Sequence, residues 1–347
     1  MYITSNNYAH HANLIYSQTI AQQGVENLDM KNKEIVNSTS NELFQAVTYK
    51  LLNFEIRNES VIYSDTDYVL NLFSILKKYK DLQNITLITS QSDTGITNKL
   101  YDKKPACITK WFSSNVEIER SELIPIPLGI SNGFSKKNIT ENNLPSIPVK
   151  INTDNKEMSM YLNFNINTNI KERGHLYEMF ANEAWCNIEN ISSNNNHYIE
   201  KIKQNLFVLC PWGNGIETHR LWETLYLGSI PITKYHPTHK NYRDLPILFV
   251  DSYEDINLEL LMNFTESLKT TDFNLKKINI KYWRDLIDDS VINTGSYANE
   301  IISIEETHVS VYYNRYMNII TKTFDSKLKI IKFYLRKLLK LKKLLTG

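Results

Sequence analysis

Residues 206–234 read LFVLCPWGNGIETHRLWETLYLGSIPITK, and each part of this stretch has its own physical role. Leu206 to Cys210 is an unbroken apolar run, the pattern of a strand buried on both faces, and Pro211 ends it. Gly213, Asn214 and Gly215 make a loop that tolerates positive φ and lets another molecule approach the backbone. Thr218 is placed to cap a helix, with Glu217 near its positive end. The helix runs to Leu227, and Gly228 fits the position just past its end. Ser229 to Thr233 returns as a strand, in which Pro231 predicts a sheet margin or an irregular strand.

A strand, a glycine loop, a helix and a strand in this order present unpaired N–H groups and partial positive charge at the helix start, a site suited to phosphate. At about 100° per residue, His219, Arg220 and Glu223 share one arc of the helix, and Leu221, Trp222 and Leu225 face the other way, toward a core. A cation and an imidazole in the first turn suit a diphosphate, and a carboxylate one turn on suits ribose hydroxyls. A capping or packing role for His219, and an ordinary i,i+4 pairing of His219 with Glu223, are the structural alternatives.

Outward from this segment the chain alternates strand-like and helix-like runs. Ser60 to Tyr63, Ile85 to Thr89, Ala106 to Phe112 and Leu123 to Pro127 read as strands, and Tyr68 to Tyr79 carries apolar residues at helical spacing. Such alternation predicts an α/β fold with mainly parallel sheets, in which ligands lie beyond the carboxyl ends of strands. Asp65, Asp67 and Asp93 fall at such ends. Residues 136–156 are polar and Asn-rich with Pro145 and Pro148, a linker signature. A second α/β unit begins near Met158, with helices expected near His175 to Trp185 and Tyr198 to Gln204, a last strand at Ile247 to Val250, and helical chain beyond it.

The 347 residues are enough for about two domains. The net charge of +1 hides an asymmetry. Residues 327–347 hold eight Lys/Arg and no acid; without those eight, 31 of the 39 basic residues remain against 38 acidic ones, a body of net −7. Cys107, Cys186 and Cys210 are far apart and odd in number, so they predict free thiols in a reducing compartment rather than disulfides or a zinc site. The N-terminus lacks the pattern of a signal peptide, and no run of 18 apolar residues is present. Together these predict a cytoplasmic protein.

The string Cys210-Pro211-x-Gly213-Asn214-Gly215-x-Glu217-x-His219-Arg220-x-Trp222-Glu223, followed by Gly228-x-Ile230-Pro231-Ile232, resembles the signature of exostosin-like glycosyltransferases and their bacterial relatives. Glu217 stands where that family usually has Asp. Weaker echoes are Trp111-Phe112-x-x-Asn115, Ile124 to Gly129, Asn163-Phe164 and Arg173. The resemblance implies a GT-B fold of two Rossmann-like domains facing a cleft. The N-terminal, acceptor-binding domain would span residues 1–145, a linker 146–156, the donor-binding domain 157–325 and a basic amphipathic tail 326–347. It also implies transfer of a sugar from a nucleotide-sugar donor to a glycan or lipid-linked glycan, as in lipopolysaccharide or capsule synthesis.

Sugar transfer needs a stabilised leaving diphosphate and an acceptor hydroxyl that loses its proton. Arg220 and Arg173, with the amides of Gly213, Asn214 and Gly215, are the candidates for the first task, joined by Glu217, His219 and Glu223 as donor-binding residues. No metal cofactor is expected. Trp212 stacks on a base or simply covers the loop. A general base, where one is used, would come from Asp67 or Asp93; the adjacent His10 and His11 read as exposed loop residues. Two other readings remain open. Asp65-Thr66-Asp67 also resembles the Asp-x-Asp with which GT-A enzymes hold a divalent metal, and a catalytically silent GT-B-like subunit would bind nucleotide sugar or glycan without turnover.

In the tail, Lys329, Lys332, Arg336, Lys340 and Lys343 form a basic stripe beside Leu328, Ile331, Leu335, Leu338 and Leu339. This predicts an amphipathic helix at an anionic membrane surface on the cytoplasmic side; packing of the same helix on the body is the alternative. Few stacking aromatics lie among the basic residues, which argues against nucleic acid.

Overall fold

In this computed structural model the described residues are 1–42, 44–134, 138–146, 151, 153, 156–190, 194–292 and 301–305. The basic tail and most of the expected linker lie outside them. The first unit contains β1 (Leu14–Ala21), β2 (Lys33–Ser40), β3 (Gln45–Leu51), β4 (Asn53–Arg57), β5 (Val61–Asp65), β6 (Ile85–Ser90), β7 (Ile108–Ser113) and β8 (Leu123–Pro125). All but β4 form one seven-stranded sheet in the order β2-β3-β1-β5-β6-β7-β8. From β1 to β8 the pairing is parallel, as the strand–helix rhythm predicts, and β3 runs antiparallel to both β1 and β2.

Short α1 (Ser5–Ala9) precedes this sheet, α2 (Val69–Leu76) links β5 to β6, and α3 (Asn98–Tyr101) links β6 to β7. The 3.6-residue spacing of Val69, Leu72, Phe73 and Leu76 is the reason α2 forms here. All four are buried against Leu87, Trp111 and Ile85 on one face of the sheet.

The second sheet is entirely parallel. Its strands are β9 (Glu157–Leu162), β10 (Cys186–Ile188), β11 (Asn205–Leu209), β12 (Ile230–Lys234) and β13 (Leu248–Val250), in the order β10-β9-β11-β12-β13. The order reverses between β9 and β11, which opens a crevice at their carboxyl ends. Helices α4 (Ile170–Arg173) and α5 (Leu176–Phe180) connect β9 to β10, α6 (Asn195–Gln204) leads into β11, and α7 (His219–Tyr226) joins β11 to β12. Beyond β13 come α8 (Leu258–Ser267), α9 (Ile280–Ser290) and a further strand, β14 (Ile301–Glu305). Parallel sheets with crossover helices are compatible with a Rossmann-like fold.

The two sheets share one apolar core. Tyr63, Ile88 and Phe112 of the first sheet belong to the same buried cluster as Tyr161 and Val208 of the second, with Trp222, Tyr226 and Trp283 between them. Helix α9 reaches back to the N-terminus: Ile280 N–H donates to the Met1 carbonyl at 3.2 Å, and Arg284 Nη2 to the Asn7 carbonyl at 2.6 Å.

Several details depart from the sequence reading. The helix expected over His175 to Trp185 is only the short α5, and Cys186 already begins β10. The chain after Val250 is helical in α8 and α9, as expected, but residues 301–305 form a strand, β14, which pairs antiparallel with β4 of the first unit. The otherwise unpaired ladder groups of β4 draw it there, so residues 301–305 join the first unit in space although they follow the second in sequence. Pro231 does not mark a sheet margin. It lies in β12 opposite Val208, but β13 begins pairing only at Ile232, so no ladder bond is asked of Pro231 on that side.

Candidate functional site

The crevice at the switch between β9 and β11 is lined by the loop that follows β11 and by the first turn of α7. Thr218 takes the cap position of α7 with extended backbone, yet its side chain makes no capping hydrogen bond. The first turn therefore has no side-chain cap: Leu221 N–H donates to the Thr218 carbonyl at 3.3 Å, and no side chain of Thr218 takes the other amides at the helix start. The inner face of α7 is as the periodicity predicts, with Leu221, Trp222 and Leu225 buried.

Arg173 holds the loop from beneath. Its Nε donates to the Trp212 carbonyl at 2.8 Å, Nη2 to the Pro211 carbonyl at 2.7 Å, and Nη1 to the Asn165 carbonyl at 3.0 Å and Thr168 Oγ1 at 2.6 Å. A guanidinium with its donors engaged in this way fixes the loop and leaves little for a ligand. Burial, helped by the nearby Arg220, lowers its pKa to about 10. Asn169 Nδ2 donates to the Gly213 carbonyl at 2.8 Å, and the Gly213 amide is taken by the Gly215 carbonyl at 2.9 Å. A Cβ at Gly215 would lie 3.0 Å from the Asn115 side chain, a tight contact that glycine avoids. Asn214 is exposed at the loop tip.

Arg220 is placed differently. Its guanidinium lies over the Tyr198 ring, 5.2 Å from the centroid, and Nη1 is buried without a hydrogen-bond partner. Arg173 and Arg220 are close enough to repel each other. Two guanidinium groups thus meet behind the glycine loop, one engaged with backbone and one with free donor capacity. Glu223 sits one turn further along, buried, with Oε2 accepting the Tyr198 hydroxyl at 3.1 Å. Burial raises its pKa, and the Arg220 and His219 charges oppose that rise. Tyr198 was legible in the sequence only as a helix residue; it supports both Arg220 and Glu223.

Glu217 does not point at the crevice. Its Oε2 accepts from Leu128 N–H and from Trp222 Nε1, each at 2.9 Å, and its Oε1 bonds the Tyr242 hydroxyl. His239, fully buried, stands 3.8 Å from Oε1. Burial raises the Glu217 pKa while these donors oppose it. Glu217 is thus a tie between the first unit and α7, with its acceptor capacity used by the protein.

His219, the first residue of α7, bonds through Nδ1 to the Gly129 carbonyl at 2.7 Å. Gly129 has φ +74, and a Cβ there would fall 2.0 Å from the Ile3 carbonyl oxygen, so only glycine fits. Trp212 packs edge-on against His236 with Lys234 Nζ 4.7 Å from its ring centroid.

The carboxylates expected at strand ends are indeed there, at or just beyond the carboxyl ends of β5 and β6. Asp65 is buried, with Oδ2 accepting from Thr19 Oγ1 at 2.6 Å and Oδ1 unpartnered, and burial pushes its pKa up to about 7. Asp67 is exposed and accepts from Ser92 and Thr94 hydroxyls at 2.9 and 2.7 Å. Asp93 is exposed. Asp65 and Asp67 thus turn to different partners, and among the described residues no group of three or more His, Cys, Asp or Glu is arranged to hold a metal. His10 caps the end of α1, and His11 Nε2 meets Asp288 of α9 at 2.9 Å. Among the described residues no helix is long and apolar enough to cross a membrane.

No curated protein matches this chain. Residues 157–287, from the first strand of the second sheet to α9, match the family model described as the RXYLT1 C-terminal domain, a xylosyltransferase-related, exostosin-like family, and this supports a glycosyltransferase-related family for that part of the chain.

Proposed function

We propose that this chain is a glycosyltransferase of the two-domain GT-B kind, which moves a sugar from a nucleotide-sugar donor to a glycan or glycolipid acceptor. The observation that carries the reading is Arg220: a guanidinium with a buried, unpartnered Nη1 in the first turn of α7, beside the uncapped amides of that turn. A buried donor left unsatisfied is costly unless a ligand satisfies it, and a diphosphate supplies the matching acceptors. In this reading the leaving diphosphate lies across the start of α7, its developing charge met by Arg220 and the helix amides. Arg173 acts as a positioning residue that sets the loop. Glu223 faces the ribose, and the Gly213–Gly215 loop lets the donor approach.

The acceptor enters from the carboxyl ends of the first sheet's strands, where Asp67 and Asp93 are the exposed carboxylates at hand for an inverting reaction. The tail, residues 327–347, would bring the enzyme to an anionic membrane surface, on which a lipid-linked acceptor for lipopolysaccharide or capsule is carried. Release of nucleoside diphosphate from nucleotide sugars by the purified chain tests the activity. Failure to bind or turn over any of a panel of uridine, guanosine, cytidine and adenosine sugar nucleotides would exclude it.

A further inference from the structure

We infer that His219 binds the donor diphosphate only as an imidazolium, so that nucleotide binding takes up a proton. This deepens the reading of α7 as a diphosphate site and rests on it. A carbonyl oxygen can only accept, so the 2.7 Å bond to Gly129 requires the proton on Nδ1 of His219. The bond is built into the fold: Gly129 admits no other residue, and its amide neighbour Ile130 donates to the Ile3 carbonyl at 2.9 Å, which pins the loop. In the neutral ring Nε2 then carries a lone pair, and no group among the described residues bonds to it.

A nucleoside diphosphate at neutral or mildly alkaline pH presents oxygens that accept and do not donate. The neutral His219 ring therefore meets it lone pair to lone pair. Adding a proton at Nε2 converts that repulsion into a charge-assisted N–H···O bond beside Arg220. The titratable groups around the start of α7 include Glu217, Arg220 and Glu223, with Arg173 behind the loop, Tyr177 of α5, Tyr198 of α6 and Cys210 just after β11. Glu217 is engaged by Leu128, Trp222 and Tyr242. Glu223 feels the charges of both Arg220 and His219, and a diphosphate between them would offset both cations.

Isothermal titration of the full chain with UDP, GDP, CDP and ADP at pH 8.0, in Tris and in HEPES, counts the protons exchanged. At this pH free imidazoles are mostly neutral and the nucleotides' terminal phosphates are ionised. The expected result is uptake approaching one proton per nucleotide bound, with affinity falling up to about tenfold per pH unit above pH 8. His219→Gln, which keeps one neutral donor, should bind with little uptake and a flat pH profile. Tight binding by the wild-type chain without uptake, or uptake preserved in His219→Gln, overturns the inference and leaves the diphosphate site standing. Absence of binding by every nucleotide overturns the site as well. The wild-type proton count is decisive without the variant.

Discussion

The side-chain oxygen of Asn115 accepts the backbone N–H of Glu217 at 2.8 Å, a bond between residues 102 positions apart that joins the end of β7 to the loop before α7. The Asn115 amide also donates to the Ser92 carbonyl at 3.0 Å. Its backbone stands at φ 55, a left-handed conformation that asparagine tolerates better than most residues. One residue therefore joins the loop after β7 to Gly215 and to the start of α7.

Replacing Asn115 removes both bonds and strains the backbone. Asn115→Ala should lose about 1–3 kcal/mol of stability in urea unfolding. It should also raise the KM for donor more than it lowers kcat. A variant with unchanged stability and unchanged KM would show that the tie between the units is not set here.

Asp65 makes stability depend on pH. Its folded pKa, about 7, is raised above the ordinary 3.8, so its favourable contribution is fully present below about pH 4 and is lost as pH rises through 7. Asp65→Asn removes that loss. Its stability advantage over the wild-type chain should grow by about 2 kcal/mol between pH 5 and pH 8, read by denaturant unfolding at each pH. An advantage independent of pH would mean that the carboxyl is not held neutral in the fold.

Arg173 is expected to be intolerant even of lysine. A single ammonium cannot reach the Trp212, Pro211 and Asn165 carbonyls together in the way the guanidinium fork does. Arg173→Lys should destabilise the chain by about 2–4 kcal/mol and weaken donor binding, checked by thermal unfolding and nucleotide titration. Binding lost at full stability would instead assign Arg173 to the ligand.

The tail is tested by deletion of residues 327–347. Flotation with liposomes rich in anionic lipid should fall to background in the truncated chain, while nucleotide binding persists. Flotation equal to that of the full chain would move any membrane contact to the body.

The segment 206–234 was legible because every signal in it is local: the apolar run, the glycines and the 3.6-residue spacing of Leu221, Trp222 and Leu225. Glu217 and Glu223 were harder. Helical spacing put Glu223 on the open face, but its surroundings come from Tyr198 on another helix, and the donors to Glu217 come from Leu128 and Tyr242. Nothing in the local pattern tells a carboxylate that meets a ligand from one that accepts a distant backbone N–H. The same holds for His219, whose partner is the carbonyl of a glycine 90 positions away. The antiparallel β2-β3 ribbon and the pairing of β14 with β4 depend on long-range register, which a single strand's sequence does not carry. Asn115 was visible only as an echo of a family motif, and the reason for it is the bond to Glu217.

In the proposed reaction Arg220 meets the charge on a leaving diphosphate. The most direct test compares wild-type chain and Arg220→Ala for nucleoside diphosphate release across a panel of nucleotide sugars, with folding checked by unfolding curves. The expected result is turnover by the wild-type chain and a fall of about 100-fold or more in kcat for a folded Arg220→Ala. Equal turnover by the two proteins would contradict it.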